Sequence, residues 1–73
     1  MRMSLWTIYD HPTDFPEHYV AREWIAAHGT VHKTENFIMS KNLDMLRGEL
    51  QSMHKYPIER APTDDPKIVE TWI

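Results

Sequence analysis

The chain of 73 residues has no cysteine. Disulfide bonds and thiolate metal sites are therefore excluded as supports for a core that is small at this length. Only two glycines are present, and the sequence contains neither a Gly-rich phosphate-binding loop nor a Gly-x-Ser-x-Gly nucleophile motif. We therefore expect no enzymatic activity, no catalytic residue and no bound cofactor.

Long hydrophobic runs and excess positive charge are also missing. No run approaches the ~20 apolar residues of a membrane-spanning helix. The residues before Leu5 are too few for a signal peptide, so we expect a cytoplasmic protein without a membrane partner. Eight Lys and Arg stand against eleven Asp and Glu, which gives a net charge of −3. That balance makes nucleic acid an unlikely general partner, because nucleic-acid affinity comes mainly from Lys and Arg at phosphates.

A proline-bracketed loop occurs twice in the chain. Residues 12–16 read Pro-Thr-Asp-Phe-Pro and residues 62–66 read Pro-Thr-Asp-Asp-Pro. Each loop precedes an apolar run that ends in Trp-Ile. Proline fixes φ and biases the preceding residue toward extended geometry, so both loops should be stiff turns. The repetition predicts two similar strand–loop–strand hairpins, one near each end of the chain.

Residues 17–28 fit two interpretations. As a helix, the segment would have Asp14 as its N-cap and would end at Gly29. As a strand, residues 19–25 would present bulky side chains to both faces. The second copy of the pattern has only seven residues after Pro66, too few for a stable helix. If the two copies share a shape, residues 17–28 contain a strand.

The remaining pattern predicts the fold class. Residues 42–54 form an amphipathic helix with Asn42 as N-cap, because Leu43, Leu46, Leu50 and Met53 recur on one face. Gly48 lies on the opposite face. Residues 29–35 are polar and predict a loop, and strands are expected at 5–9, 37–40, 56–61 and 67–73. The sequence thus predicts a single α+β domain over residues 1–73, with a small antiparallel sheet in the order β-β-β-α-β-β covered on one face by one helix.

An aromatic set provides the main candidate binding surface. Because Trp, Tyr and Arg dominate binding hot spots, the set predicts a protein-binding surface, including self-association. The same residue types could stack nucleic-acid bases, or simply form the core with cation–π contacts. The acidic net charge favours protein over nucleic acid. The set comprises Trp6, Tyr9, Tyr19, Trp24 and Trp72, interleaved with Arg22 and Arg60, and we expect Trp6, Arg22, Trp24 and Trp72 to contact the partner.

The two loops provide a weaker candidate site at His11 and Asp14. Imidazole and carboxylate groups suit zinc or manganese, so a metal site is a second alternative, although no metal ligand is assigned. The simpler interpretation is that Asp14 bonds to the backbone of its own turn and His11 lies in solvent. The other acidic and imidazole groups of the two loops are Asp10, Glu17, His18, Asp64 and Asp65.

Motifs at both ends resemble a family of short proteins from proteobacteria and their phages. The resemblance rests on Trp6-Thr7-Ile8-Tyr9-Asp10-His11-Pro12, Asp14-Phe15-Pro16, Val20-Ala21-Arg22, and Asp64-Asp65-Pro66 followed by Ile68-Val69-Glu70 and Trp72. No activity is known for that family, so the resemblance implies only a stand-alone small protein of a kind that a mobile element can carry. Together these observations predict a small accessory protein that binds a protein partner, with a nucleic-acid-binding module as the alternative.

Overall fold

A computed structural model describes residues 2–58 and 67–73 as one five-stranded antiparallel sheet with one helix. The predicted α+β class and the order β-β-β-α-β-β are confirmed. The elements are β1 (Arg2–Asp10), β2 (Tyr19–Ala27), β3 (Thr30–Ser40), α1 (Leu43–Ser52), β4 (Pro57–Ile58) and β5 (Ile68–Trp72).

The sheet has the strand order β3-β2-β1-β5-β4, so the first strand of the chain lies at its centre. β1 pairs with β2 along its whole length and with β5 on its other side. β1 places Trp6 and Ile8 on one face of the sheet and Leu5, Thr7 and Tyr9 on the other. The backbone N–H of His11 donates to the carbonyl of His18 at 3.0 Å and closes the β1–β2 hairpin.

The ambiguous segment at residues 17–28 is a strand, as the repeated pattern indicated. β2 runs from Tyr19 to Ala27. The segment at the second copy is also a strand, because β5 covers Ile68–Trp72. The loop at residues 62–66, Arg60 and the end of the predicted strand at 56–61 lie outside the described residues.

The predicted loop at residues 29–35 is wrong, because β3 begins at Thr30. The chain reverses in two residues, His28 with φ of 53° and Gly29 with φ of 77°. Positive φ at both central residues is typical of a type I′ turn, which matches the twist of the strands it joins. β3 is polar over this part because it is an edge strand exposed to solvent, so its sequence resembles that of a loop.

Helix α1 begins where Asn42 caps it. The Asn42 side chain accepts a hydrogen bond from the backbone N–H of Asp44 at 2.8 Å, which confirms the predicted N-cap. The helix ends at Ser52, two residues before the predicted end. His54 adopts a left-handed φ of 61°, and the N–H of Lys55 donates to the carbonyl of Leu50 at 3.1 Å. These bonds form a Schellman motif, which closes the helix before Pro57 is reached.

The core lies between α1 and the sheet. Leu46 and Leu50 are buried on the inner face of the helix. Burial of such side chains supplies the main free energy that stabilises a fold of this size. The sheet contributes Trp6, Ile8, Ala21 and Trp72 to the same cluster. No helix among the described residues is long and apolar enough to cross a membrane.

Candidate protein-binding surface

The helix covers only one face of the sheet, and we call the other side the open face. Side chains alternate between the two faces along a strand, and directly paired residues of antiparallel strands share a face. Ile8 and its partner Ala21 point toward the helix. The residues that alternate with these helix-facing ones therefore lie on the open face. They are Met3, Leu5, Thr7 and Tyr9 of β1, Val20, Arg22, Trp24 and Ala26 of β2, and Val31, Lys33, Phe37 and Met39 of β3.

The loop at residues 12–16 folds over one end of the open face. Its backbone makes a turn in which the N–H of Phe15 donates to the carbonyl of Pro12 at 3.0 Å. The Phe15 ring lies 5.4 Å from the ring of Phe37 on β3. Val20 is fully buried on this face, as expected beneath such a cover. The stiff loop therefore helps to shape the surface, besides turning the chain.

Arg22 is held in place from two sides. The carboxylate of Asp14 forms an ion pair and hydrogen bond with the guanidinium. The guanidinium carbon also lies 5.4 Å from the centre of the Phe37 ring, within cation–π range. The Arg22 side chain is only 16% exposed. An arginine fixed in this way is oriented before any partner arrives.

A pocket of about 270 Å³ opens on this face beside Arg22. That volume is slightly below the ~300 Å³ at which pockets that enclose small ligands typically begin, so the pocket suits a single inserted side chain. Two aromatic side chains and two cations border it. The lining residues are Tyr9, Pro12, Asp14, Arg22, Trp24 and Lys33.

Apolar side chains around the pocket are exposed to solvent. Val31 pairs with Ala26, which in turn pairs with Met3, and the Val31 side chain is 56% exposed. Phe37 and Met39 are exposed further along β3. Single exposed apolar residues are ordinary on proteins, whereas several on one face are typical of an interaction surface.

A carboxylate on the helix side of the sheet fixes β3 in position. Glu23 accepts hydrogen bonds from Asn36 Nδ2 at 2.9 Å and from Ser4 Oγ at 2.7 Å. Thr34 Oγ1 also donates to it, at 3.3 Å. The bonds from Asn36, Ser4 and Thr34 lower the pKa of the Glu23 carboxyl below its usual 4.5. Residues 34–36 oppose Glu23 as a bulge, so this network fixes the parts of β3 that carry Lys33 and Phe37.

The four residues predicted to contact a partner do not share one surface. Arg22 and Trp24 lie on the open face. Trp6 and Trp72 pair with each other on the helix side and are only 7% and 2% exposed. Their predicted place in the binding surface is corrected, because strand alternation puts Trp6 in register with Ile8 and the core. Both are core residues, which was one of the interpretations of the aromatic set.

The two residues of the predicted loop site are directed to different neighbours. His11 contacts the Asp10 carboxylate, and its ring lies 4.9 Å from the ring of Tyr19. Asp14 bonds to the side chain of Arg22 on β2, whereas a bond to the backbone of its own turn had been expected. Within residues 2–58 and 67–73, no three His, Cys, Asp or Glu side chains form a group that could hold a metal ion. Asp64 and Asp65 lie outside this part of the chain.

The sequence patterns did not indicate Lys33, Phe15 and Phe37 as parts of the surface. The signal that would have found Lys33 is the two-residue turn at His28-Gly29. Such a turn fixes the register of the hairpin, and that register pairs Trp24 with Lys33. The contacts of Phe15 depend on the path of the loop and have no signal in residue spacing.

Comparisons with protein-family models, with curated proteins and with solved structures gave no match to this chain.

Proposed function

We propose that this protein is a small accessory protein that binds another protein through the open face of its sheet. The observation that carries the proposal is a sheet covered by a helix on one side only, whose other side presents aromatic and apolar groups. A sheet face of this composition stabilises the complex when a partner removes it from water.

Residue type and rigidity support Arg22 and Trp24 as the centre of the surface. Trp, Tyr and Arg are enriched among residues that dominate binding energy. Arg22 is held by Asp14 and Phe37, so it loses little conformational freedom when it is buried. Trp24 is half-buried and borders the pocket, so a partner can cover the rest of its ring.

Charge favours a protein partner over nucleic acid. Arg22 and Lys33 are the cations at the pocket, and Asp14 already compensates Arg22. Nucleic-acid binding of useful strength requires contacts to several phosphates. The chain as a whole carries a net charge of −3, which repels a polyanion.

Photo-cross-linking from opposite sides of the molecule tests the proposal. A p-benzoylphenylalanine replaces Val31 on the open face or, as a matched control, Met45 on the outer side of α1; the two side chains are 56% and 63% exposed. In cells of the source organism we expect a defined protein adduct from position 31 only. An excess of unmodified protein should suppress that adduct, whereas an excess of the Trp24→Ala variant should not.

Two results would contradict the proposal. Equal adducts from both positions would show contact without a preferred face, and the absence of any protein adduct from position 31 would show that the open face has no protein partner. Circular dichroism of Trp24→Ala establishes that its failure to compete is not a failure to fold. An adduct with a second copy of the chain would support protein binding as self-association.

A further inference from the structure

We infer that the pocket between the 12–16 loop and strands β1–β3 receives an acidic side chain of the partner, an Asp or Glu beside an apolar or aromatic residue. The inference rests on the proposed protein-binding function and specifies the chemistry of the partner. It is carried by the charges and rings that surround the pocket.

The charge at the pocket matches one carboxylate. Arg22 and Lys33 contribute two positive charges and Asp14 contributes one negative charge. Asp14 is paired with Arg22, whereas Lys33 forms no ion pair within residues 2–58 and 67–73. The ammonium of Lys33 is thus the group that gains a partner when a carboxylate enters.

The helix side of the sheet holds the neighbouring carboxylates. Glu23 and Glu70 face the helix, where Ser4 and Arg47 bond to them. Glu35 is the acidic residue of the described strands that alternation directs to the open face, because its neighbours Thr34 and Asn36 bond to Glu23 on the helix side. It does not line the pocket, so an acidic group that enters the pocket meets one lining carboxylate, the paired Asp14.

The same charges disfavour two other occupants of the pocket, a second copy of this chain and a phosphate group. A second copy would bring an identical pair of cations against this one, and like charges placed together cost free energy. A phosphate carries up to two negative charges and is favoured by clusters of free arginines, whereas Arg22 is already bound to Asp14. A single carboxylate is the anion that this pocket matches.

The aromatic lining adds a second requirement. Trp24 and Tyr9 border the cations, so a residue next to the carboxylate would lie against an indole and a phenol ring. Rings of this size favour aromatic or aliphatic neighbours, which gain free energy when water is removed. The expected partner segment therefore has an acidic residue adjacent to an apolar one.

Peptide selection with a charge-reversed pocket tests this inference. A random heptapeptide library is selected against the wild-type protein and against Lys33→Glu. Lys41→Glu is the matched control, because Lys41 is also exposed, lies between β3 and α1, and undergoes the same charge change. The wild type and Lys41→Glu should select peptides with Asp or Glu beside an apolar residue, and Lys33→Glu should select peptides with Lys or Arg.

The affinity of a selected peptide then measures how much the contact between its carboxylate and Lys33 contributes to binding. Its Glu→Gln or Asp→Asn version should bind the wild type about fivefold more weakly, and added salt should reduce the difference. Lys33→Glu should weaken binding of the acidic peptide by at least as much, and Lys41→Glu should leave its affinity unchanged. Backbone NMR shifts on adding the peptide should centre on Trp24 and Lys33.

Several results would overturn the inference. Selected peptides without acidic enrichment, or equal binding by Lys33→Glu, would show that the pocket takes no carboxylate, while the cross-link from position 31 would still support protein binding. Failure to select any peptide would overturn it as well. Retardation of a thymidine oligonucleotide that Lys33→Glu abolishes, without any protein adduct from position 31, would overturn both proposals in favour of nucleic acid.

Discussion

Trp72 Nε1 donates a hydrogen bond to Glu70 Oε1 at 3.1 Å, so a carboxylate two residues earlier on β5 satisfies the polar atom of a core indole. The same oxygen accepts from Arg47 Nε of the helix at 2.8 Å, and that hydrogen bond raises the pKa of Arg47. Glu70 therefore connects the helix, the last strand and the core in one network.

Removal of the Glu70 carboxylate should destabilise the fold. We expect Glu70→Ala to lower the free energy of unfolding by about 2–3 kcal/mol, because the Trp72 N–H loses its acceptor and Arg47 loses its partner. Glu70→Gln keeps an acceptor for Trp72 and should cost about 1 kcal/mol. Urea denaturation measures both values, provided that the slope of the free energy of unfolding against urea concentration is the same for the variants and the wild type. Equal losses for the two variants would mean that the bond to Trp72 contributes nothing to stability.

Glu23 should make stability depend on pH at the acidic end. Hydrogen bonds from Asn36, Ser4 and Thr34 hold the pKa of its carboxyl below 4.5 in the folded chain. The unfolded chain therefore binds a proton more readily, and the contribution of Glu23 is present above about pH 4.5 and lost as pH falls through the folded pKa. We expect the free energy of unfolding of the wild type to fall more steeply below pH 4.5 than that of Glu23→Gln. Parallel curves from urea denaturation at a series of pH values would contradict this.

The two glycines should respond in opposite directions to alanine. Gly48 lies in α1 with open space where a Cβ would stand, so Gly48→Ala should raise the free energy of unfolding by about 1 kcal/mol. Gly29 has a left-handed φ of 77°, and Gly29→Ala should lower the free energy of unfolding by about 1–2 kcal/mol although a Cβ there would also meet open space. Thermal denaturation of the two variants is the measurement. A loss of stability in Gly48→Ala would show that the helix surface is covered in solution.

The sequence predicted the elements that have strong local patterns. The leucine spacing and Asn42 predicted α1 because a helix with one apolar stripe has a distinct period and a distinct cap. The repeated loop identified β2 as a strand. The first half of β3 was missed because an edge strand is polar, and because the left-handed conformation of His28 has no clear signal beyond the neighbouring Gly29.

The candidate surface was predicted only in part. Arg22 and Trp24 were recognised by residue type, and strand alternation then separates them from Trp6 and Trp72. Which face the helix covers cannot be read from the strands, because β1 is apolar on both faces. Lys33 follows from the register that the His28-Gly29 turn sets, whereas Phe37 reaches the surface beyond the bulge in β3, which residue spacing does not encode.

The bulge in β3 also affects how the protein behaves when many copies are crowded together. β3 is an edge strand of eleven residues, and a regular edge of that length is a template for fibril growth. The bulge at residues 34–36 divides its pairing with β2 into two runs of four residues, 30–33 and 37–40. A bulge interrupts the regular geometry of an edge strand, which is one of the ways in which edge strands avoid pairing with a further chain.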